Sequence, residues 1–553
     1  MKRPRRHLPV KSVLATLAVA PAAMAQQQPP GATDTPNTEP GAAPGQSQPA
    51  QPSGAPATLG TVTVTGTRPS EDFAPPPVSI QRVGGNVMDI PQSITIINKD
   101  LMQSQGATSF QSAIRNVPGI TIGAAEGGTI GNNININGFS ARTDMYIDGM
   151  RDRGQYYRDV FALEQIEVLM GPSSMLFGRG STGGVINATT KKGTNEYKAG
   201  ANVYFEPASW VSRSPSVYTT GGAPYIDRTA SRSESTNANV YASGPLIKNQ
   251  LFFYGLYNLR NAWSEGSGIT SFSKSKGDSP FWGGKLDWNI TNDHTIEVTA
   301  ISDKRDSTSE SFNYNYAARA VGASNGVITS KSGGRDYIYR YSGNFNKIIP
   351  GLSLSALYGK SNAEATSLSA GDAFPYVLDA RSGVALLVGK GINLQTSALM
   401  DTRKVYRLDG EQTVNLAGTH RFRGGFDRED VGSDSNVQYS GGVYWRYVAT
   451  APGRVLANGG IVPAGVTQYA RKRIYSNSGK FETTSSAFYL EDNWQPFGER
   501  LVLSLGIRDE TFDNKNSRGE TFVKITNQWA PRLGISYDLA GDARSKVFAN
   551  YGR

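Results

Sequence analysis

The sequence predicts a membrane β-barrel of antiparallel strands, preceded by a smaller α/β region. Three observations predict this fold class: the chain begins like an exported protein, its second half reads as strands, and the connections between those strands alternate between short and long. Outer-membrane barrels have short periplasmic turns and long external loops. Long structureless loops argue against a compact soluble domain. A large secreted β-sandwich or solenoid is the alternative fold.

Residues 1–25 read as a secretory signal peptide. Lys2, Arg3 and further arginines form a basic start, a short apolar run covers 13–20, and Ala23-Met24-Ala25 fits the small-x-small cleavage rule. We therefore expect the mature chain to leave the cytoplasm, which argues against nucleic acid as a partner.

A linker and an isolated strand-forming segment follow. Residues 26–58 are rich in Pro, Gln, Gly, Ala and Ser, a composition typical of disordered linkers. Residues 59–66 read L-G-T-V-T-V-T-G, which alternates β-branched and polar residues. Such a segment on a flexible tether could add an edge strand to the sheet of a partner.

Residues 75–193 read as a compact α/β domain. A strand at 94–97 is followed by Asn98, a plausible N-cap for a helix from Lys99, and a second helix is expected at about 109–116. Further strands are expected at 133–137, 145–147 and 165–170, with Asp148-Gly149 as a tight turn.

From residue 197 onward the chain predicts about 13 strands. They are expected at about 197–205, 236–243, 250–259, 281–290, 295–303, 336–347, 352–360, 404–416, 419–428, 485–494, 500–509, 526–538 and 545–552. Single-chain bacterial barrels have even strand numbers. We therefore expect residues 194–553 to be a partial barrel, truncated before its last strands.

Composition excludes several kinds of chemistry. The 553 residues carry a net charge of +10, which suits an anionic partner such as lipopolysaccharide phosphate or an anionic chelate. The absence of cysteine rules out thiolate metal sites and cysteine nucleophiles. With only His7, His294 and His420, neither a catalytic triad nor a histidine metal site is expected. We predict no enzymatic activity, no metal site and no resident cofactor.

One stretch carries a specific resemblance. Residues 162–187 read A-L-E-Q-I-E-V-L-M-G-P-S-S-M-L-F-G-R-G-S-T-G-G-V-I-N. This stretch resembles the plug-domain signature of TonB-dependent receptors, as do D-I-P-Q-S-I at 89–94, N-V-P-G-I at 116–120, N-I-N-G-F at 135–139 and Y-I-D-G at 146–149. The G-x-G-x-x-G run at 178–183 also matches a dinucleotide motif, but a strand-forming segment follows it instead of a helix.

The resemblance implies an outer-membrane barrel of about 22 strands when complete, with an internal α/β plug. It implies a receptor that imports a ferric siderophore, carried as ligand and not as cofactor, by TonB-coupled active transport. Partners are then the TonB energy-transducing complex, the ferric siderophore, and outer-membrane lipid and lipopolysaccharide. Residues 59–66 occupy the position of the TonB box, so we expect its contacts to be made by Leu59, Thr61, Val62, Thr63 and Val64.

Two plug apices are candidate ligand-binding segments. A ferric tris-catecholate is anionic and carries flat rings, which arginine recognises by charge and stacking and tyrosine by hydrogen bonds and aromatic contact. The segment at 150–159 resembles that of catecholate-type receptors. The candidate ligand-binding residues are Arg142, Arg151, Arg153, Tyr156, Tyr157 and Arg158. Any of these arginines could instead pair with plug or barrel carboxylates.

Several alternatives stay open. A haem or other metal-chelate receptor of the same family is the main one, although His294 and His420 lie in or beside predicted periplasmic turns, away from external haem. A passive porin would lack residues 80–193, and a secreted adhesin would not sit in the membrane. Glu164 and Glu167 could pair with barrel arginines or be ordinary structural charges.

Overall fold

The computed structural model consists of a small inner domain and a large antiparallel sheet that surrounds it. The sheet is called the wall below. The residues described are 15–17, 76–80, 82, 87–123, 134–152, 160–178, 180–208, 216–218, 220–222, 224–226, 231–391 and 394–552.

The inner domain carries three short helices and eight strands. The helices are α1 (Lys99–Ser104), α2 (Phe110–Ile114) and α3 (Ser174–Phe177), after a 3-10 turn at Val87–Asp89. The strands are β2 (Ser93–Asn98), β3 (Ile120–Ile122), β4 (Ile134–Ile136), β5 (Phe139–Ser140), β6 (Met145–Ile147), β7 (Met150–Arg151), β8 (Leu163–Met170) and β9 (Gly184–Thr190).

Local sequence signals explain these elements. The Asn98 side chain accepts a hydrogen bond from Leu101 N at 2.8 Å, which caps α1 as predicted. Ser109 caps α2 through a capping box with Ser112. The strands form one sheet in the order β2-β8-β9-β6-β7 and a second in the order β3-β4-β5. Between them lies a core that includes the fully buried Ile114, Ile134, Ile136 and Ile166.

The wall is built from long strands. They are β10 (Lys198–Glu206), β13 (Arg232–Ile247), β14 (Leu251–Ser267), β15 (Ser271–Asp278), β16 (Phe281–Thr291), β17 (His294–Ser302), β18 (Arg305–Asn315), β19 (Ala320–Asn344), β20 (Leu352–Ser369), β23 (Leu394–Asn415), β24 (Thr419–Tyr439), β27 (Ser476–Glu499), β28 (Leu501–Lys515), β29 (Thr521–Asp538) and β30 (Lys546–Gly552). In the described residues these make 13 strands when β15 with β16, and β17 with β18, are each taken as one, in agreement with the predicted number.

With these two pairs taken as single strands, each wall strand pairs antiparallel with its neighbours in sequence order, from β10 to β30. Strand β1 (Ala15–Leu17) pairs with β10. The predicted signal peptide, linker and TonB box otherwise lie outside the described residues. Among the described residues, no helix is long and apolar enough to cross a membrane.

The long connections are more ordered than the sequence suggested. Strand β19 covers 25 residues, and most of the predicted loop at 304–335 belongs to β18 and β19. Two smaller sheets lie in other connections: β11 (Val217–Tyr218) with β12 (Pro224–Ile226), and β21 (Tyr376–Asp379), β22 (Leu386–Leu387), β25 (Tyr444–Ala449) and β26 (Gln468–Arg473). A 3-10 turn at Ser440–Gly442 precedes β25.

Candidate functional site

The β6–β7 hairpin brings the inner domain against the wall. Asp148 and Gly149 form its turn, both with positive φ (45° and 80°). A Cβ at Gly149 would lie 3.1 Å from Arg340 Nη2, so glycine allows this close approach to the wall. The tip of the hairpin is therefore the point at which wall side chains can reach inner-domain backbone.

Three wall arginines donate to carbonyl oxygens of this hairpin. Arg403 Nη1 donates to Asp152 O at 3.0 Å, and Arg407 Nη1 donates to Gly149 O at 2.9 Å. Arg340 Nη2 donates to Asp148 O. Charged donors make stronger hydrogen bonds than neutral ones. The hairpin is thus held by its backbone, independently of most of its side chains.

The Asp148 carboxylate adds a fourth contact to this first attachment of the inner domain to the wall. Its oxygens lie 3.2 Å from Lys285 Nζ and accept a hydrogen bond from Thr299 Oγ1 at 2.9 Å, both on the wall. Thr190 of the inner domain donates to it from its backbone N and its hydroxyl. Burial alone would raise the pKa of Asp148, but Lys285 and Arg340 outweigh burial and lower that pKa below its ordinary value.

Arg82 makes a second attachment, near the start of the inner domain. Its guanidinium contacts Asp409 at 2.8 Å and Asp427 at 2.5 Å on the wall, and its side chain is only 2% exposed. It also donates to Leu176 O within the inner domain at 2.5 Å. Burial would lower the pKa of Arg82, but attraction to Asp427 and Asp409 outweighs it and raises the pKa.

The third attachment involves the turn before β2. Arg532 Nη2 donates to Gln92 Oε1 at 2.9 Å. Lys546 Nζ donates to the carbonyl oxygens of Val87 at 2.5 Å and Ile90 at 2.7 Å. Here too a wall cation, Lys546, binds backbone carbonyls of the inner domain.

Glu164 and Glu167 are not part of these attachments, so of the two alternatives left open by the sequence the structure supports structural charges and not pairs with wall arginines. Glu164 pairs with Lys99 at 2.6 Å, inside the inner domain. Glu167 is fully buried and accepts hydrogen bonds from Ser79 N and from Asn187 Nδ2. Burial raises the pKa of Glu167, against the effect of those hydrogen bonds. Both glutamates therefore stabilise the inner domain itself.

Of the candidate ligand-binding residues, the structure describes Arg142 and Arg151. Arg142 is partly exposed. The Arg151 guanidinium donates to Phe177 O at 2.6 Å and Thr143 O at 3.1 Å, and it lies 5.4 Å from the Tyr146 ring centre. Arg151 thus braces the inner domain, with its side chain 14% exposed. The other four candidates, Arg153, Tyr156, Tyr157 and Arg158, lie outside the described residues, as do Leu59, Thr61, Val62, Thr63 and Val64.

Two polar cavities flank the hairpin. One of about 370 Å³ lies on the side of the long connections, and its lining includes five arginines (Arg151, Arg403, Arg407, Arg428 and Arg508) and three acids (Asp427, Glu429 and Glu510). The other, of about 330 Å³, is lined by Ser79, Arg82, Lys285 and Arg340 among others. Arg407 and Phe177 line both cavities. The hairpin therefore separates two charged chambers, and the outer one suits an anionic ligand.

Sequence reasoning missed most of this site. Arg403 and Arg407 are four residues apart on β23, so they share one face of the strand. The same holds for Asp427 and Glu429 on β24, two residues apart. Charges repeating at even spacing within a strand were the available signal of an inward polar face.

Comparison with known proteins now identifies the inner domain. Residues 86–185 match the family model described as TonB-dependent Receptor Plug Domain. These residues form a TonB-dependent receptor plug domain. The chain is accordingly an outer-membrane protein with a β-barrel wall around a plug. The strand β9 after the G-x-G-x-x-G run agrees with this assignment and not with a dinucleotide site.

Two relatives of known description match over short parts of the chain. The probable TonB-dependent siderophore receptor PiuA of Acinetobacter baumannii is 43% identical over 106 residues, which cover 19% of this chain and 14% of PiuA. The catecholate siderophore receptor Fiu of Escherichia coli is 36% identical over 139 residues, which cover 25% of this chain and 18% of Fiu. The matched parts are thus less than a fifth of these relatives' length.

Solved structures extend the likeness to the wall. The ferripyoverdine receptor of Pseudomonas aeruginosa, solved with ferripyoverdine bound, superposes with a TM-score of 0.57 at 17% identity, over 86% of this chain and 58% of that one. The siderophore receptor PiuA of A. baumannii gives 0.55 at 16% identity, over 87% and 67%. At these identities the likeness concerns the fold, and it confirms the predicted barrel with an internal plug.

Proposed function

We propose that this protein imports a ferric siderophore of the catecholate class across the outer membrane. The observation that carries this proposal is the cation-rich chamber above the β6–β7 hairpin, in a chain that is similar over 139 residues to a catecholate siderophore receptor. A ferric tris-catecholate is a compact anion with flat rings, and guanidinium groups bind such a surface by charge and by stacking.

The second part of the proposal concerns energy. The outer membrane lacks ATP, so uphill import needs work delivered from the inner membrane. Residues 59–66, the predicted TonB box, are suited to pair with a partner's sheet through their alternating β-branched pattern. We propose that TonB binds there, through Leu59, Thr61, Val62, Thr63 and Val64, and pulls on the plug.

Ligand titration tests the substrate class. Purified receptor in detergent is titrated with a ferric catecholate, a ferric hydroxamate and haemin, while quenching of the emission of its 7 Trp and 26 Tyr residues is followed. Saturable binding of the catecholate, with at least about tenfold weaker binding of the other two, corresponding to roughly 1.4 kcal/mol, is expected. Preference for haemin would assign the protein to haem uptake instead.

Uptake tests the energy requirement. Cells producing the receptor should accumulate radiolabelled ferric catecholate only while the proton-motive force and TonB are intact. Accumulation that survives an uncoupler would point to passive flux, as through a porin. In that case liposomes containing the protein should also swell in sugar solutions.

A further inference from the structure

Three polar cavities lie in line between the plug and one side of the wall. Besides the two chambers that flank the hairpin, a third of about 420 Å³ lies at the short-turn end, where Asn292, Asp293 and Asn344 line it. This third cavity is called the lower chamber, and those of about 330 Å³ and 370 Å³ are called the inner and outer chambers. Together they extend from the side of the long connections to the short turns.

One wall strand follows all three chambers. Every second residue of β23 faces inward, and successive inward residues line successive chambers. Arg403 and Val405 line the outer chamber, and Arg407 lines both the outer and the inner chamber. Asp409 lines both the inner and the lower chamber, and Glu411 lines the lower chamber. The chambers therefore form one polar route beside the plug, with a neck at Arg407 and another at Asp409.

The neck between the outer and inner chambers is formed by the wall and the hairpin. Arg407 from the wall and Phe177 from the plug line both chambers. Arg407 Nη1 also donates to Gly149 O at 2.9 Å, at the tip of the hairpin. The guanidinium thus holds this neck closed from the wall side. This neck is called the outer gate.

The neck between the inner and lower chambers is closed by an ion pair. Arg82 from the plug and Asp409 from the wall line both chambers, and Arg82 Nη2 lies 2.8 Å from Asp409 Oδ1. The other residues that line both chambers have small side chains, namely Thr295, Ser342 and Ser355. The long side chain of Arg82 therefore fills this neck. This neck is called the inner gate.

One carboxylate connects the two gates. Asp427 Oδ1 accepts a hydrogen bond from Arg82 Nη2 at 2.5 Å and another from Arg407 Nε at 3.1 Å. The two guanidinium groups thus share one oxygen atom. If Arg82 leaves, this oxygen binds Arg407 without a second cation beside it, so the attraction that holds Arg407 increases. Opening the inner gate therefore tightens the outer gate.

The order of the chain decides which gate a pull reaches first. Arg82 lies between the predicted TonB box at 59–66 and the hairpin strands β6 and β7. Tension that is applied at the box passes along the chain to Arg82 before it reaches Gly149. The inner gate is thus the one placed to respond to the tether.

We propose that Arg82 and Arg407 are two gates in series, which open in turn and never together. The outer gate admits the anionic ligand from the outer to the inner chamber. Withdrawal of Arg82 then releases it to the periplasm, while Asp427 keeps Arg407 in place and the outer gate closed. Such gates let a ligand pass without leaving an open pore. The inference rests on the proposed import, but the gates are tested with inorganic ions alone.

The test is the conductance of the receptor in planar lipid bilayers, with potassium chloride on both sides. Two closed gates in series act as two resistances, so opening one of them leaves the current at the level of the parent. Arg82→Ala and Arg407→Ala should each be as silent as the parent. Arg82→Ala/Arg407→Ala should pass a steady current.

Two controls show whether that current follows this route. Arg407→Ala/Lys546→Ala removes a different plug–wall cation in place of Arg82 and should stay silent, since Lys546 is not among the described lining residues of the three chambers. Thr189→Cys places a thiol in the inner chamber of the conducting variant, where a charged thiol reagent should block the current. Ser104→Cys is the matched thiol, exposed on α1, and should leave the current unchanged.

The role of Asp427 has its own variant. Asp427→Asn combined with Arg82→Ala should also conduct, because Arg407 then loses the carboxylate that holds it. Silence of that receptor would overturn the coupling of the two gates. If the double alanine variant does not fold, Arg82→Gln/Arg407→Gln keeps a hydrogen-bond donor at each gate on a shorter side chain and should show the same pattern.

The remaining outcomes separate the gates from the transported ligand. A current through Arg82→Ala or Arg407→Ala alone would overturn the series arrangement. So would silence of a combined variant that keeps the heat-modifiable mobility of a folded barrel, or a current that survives modification of Thr189→Cys. Failure of the parent to take up any ferric siderophore, with the expected conductances, would refute the proposed function and leave the two gates supported.

Discussion

A disulfide between the plug hairpin and the wall would show whether the hairpin must leave the wall during import. A Cβ at Gly359 on β20 would lie 3.7 Å from the Met150 Cβ on β7, and disulfides join Cβ atoms about 3.5–4.5 Å apart. Gly359 does not have a positive φ, so cysteine fits its backbone. The chain has no cysteine of its own, so no other disulfide competes.

The contacts of the hairpin give the magnitude. Arg340, Arg403, Arg407 and Lys285 each hold it by one charged contact. At about 1.5–3 kcal/mol for each, freeing the hairpin costs roughly 6–12 kcal/mol. Work of that size does not break a covalent bond. Uptake by the oxidised variant should therefore fall to the level of cells without an energy supply, while ligand binding stays unchanged.

The assay is uptake of ferric catecholate by cells producing Met150→Cys/Gly359→Cys, before and after reduction. Reduction should restore transport, which distinguishes the effect of the disulfide from damage by the substitutions themselves. Gly277→Cys/Ser307→Cys is the matched control, because its Cβ atoms lie 3.6 Å apart but join two wall strands, β15 and β18. Parent-like uptake by the fully oxidised hairpin variant would refute the reasoning, since the plug would then open without moving this hairpin.

Three further predictions concern the plug and its tether. Lys285 and Arg340 lower the pKa of Asp148 despite its burial. The Asp148 charge therefore stabilises the fold above the ordinary pKa of 3.8, and this stabilisation is lost as pH falls through the lowered pKa. Asp148→Asn should lower the thermal midpoint at pH 7, by an amount that shrinks in strong acid. Arg151→Lys loses the planar fork that binds two carbonyl groups and should cost roughly 1–3 kcal/mol of stability. Arg142→Lys should weaken catecholate binding about tenfold if Arg142 contacts ligand. Parent-like ligand affinity of both variants would assign recognition to the external loops. Val62→Pro removes a backbone donor and should abolish uptake without changing ligand affinity; normal uptake would exclude this segment as the TonB box.

Local signals in the sequence were sufficient for the plug. Asn98 and Ser109 cap its helices, and Asp148-Gly149 forms its turn, because each depends on residues within a few positions. The length of the wall strands was not predictable in the same way. Strand β18 reads R-D-S-T-S-E-S-F-N-Y-N, where polar residues occupy both faces. Outside the membrane neither face needs to be apolar, so the alternation that reveals a strand is missing.

The partners across the plug–wall interface were also beyond sequence reasoning. Glu164 and Arg82 both carry a charge in the plug, yet only Arg82 faces wall carboxylates. Which charge meets the wall depends on how the plug is rotated within it, and that rotation is set by contacts between residues hundreds of positions apart. Arg82 and Asp427, for example, are separated by 345 positions.

The choice of charged contacts at this interface is consistent with a plug that detaches. Each arginine that holds the hairpin also has a carboxylate on the wall: Arg340 with Glu297 at 3.0 Å, Arg403 with Glu429 at 2.9 Å and Arg407 with Asp427 at 3.1 Å. Breaking a buried ion pair is costly because it leaves one charge uncompensated. For these three arginines the departing partner is a neutral carbonyl, so each guanidinium keeps its counter-charge and water replaces the lost hydrogen bond. The ion pairs of Asp148 with Lys285 and of Arg82 with Asp409 and Asp427 are the costlier contacts to break. Apolar contacts such as that of Leu357 and Val405 with the plug core instead expose hydrocarbon to water at about 25 cal/mol for each Å² uncovered. The three wall arginines can therefore release the hairpin without losing their own counter-charges, as the proposed import requires.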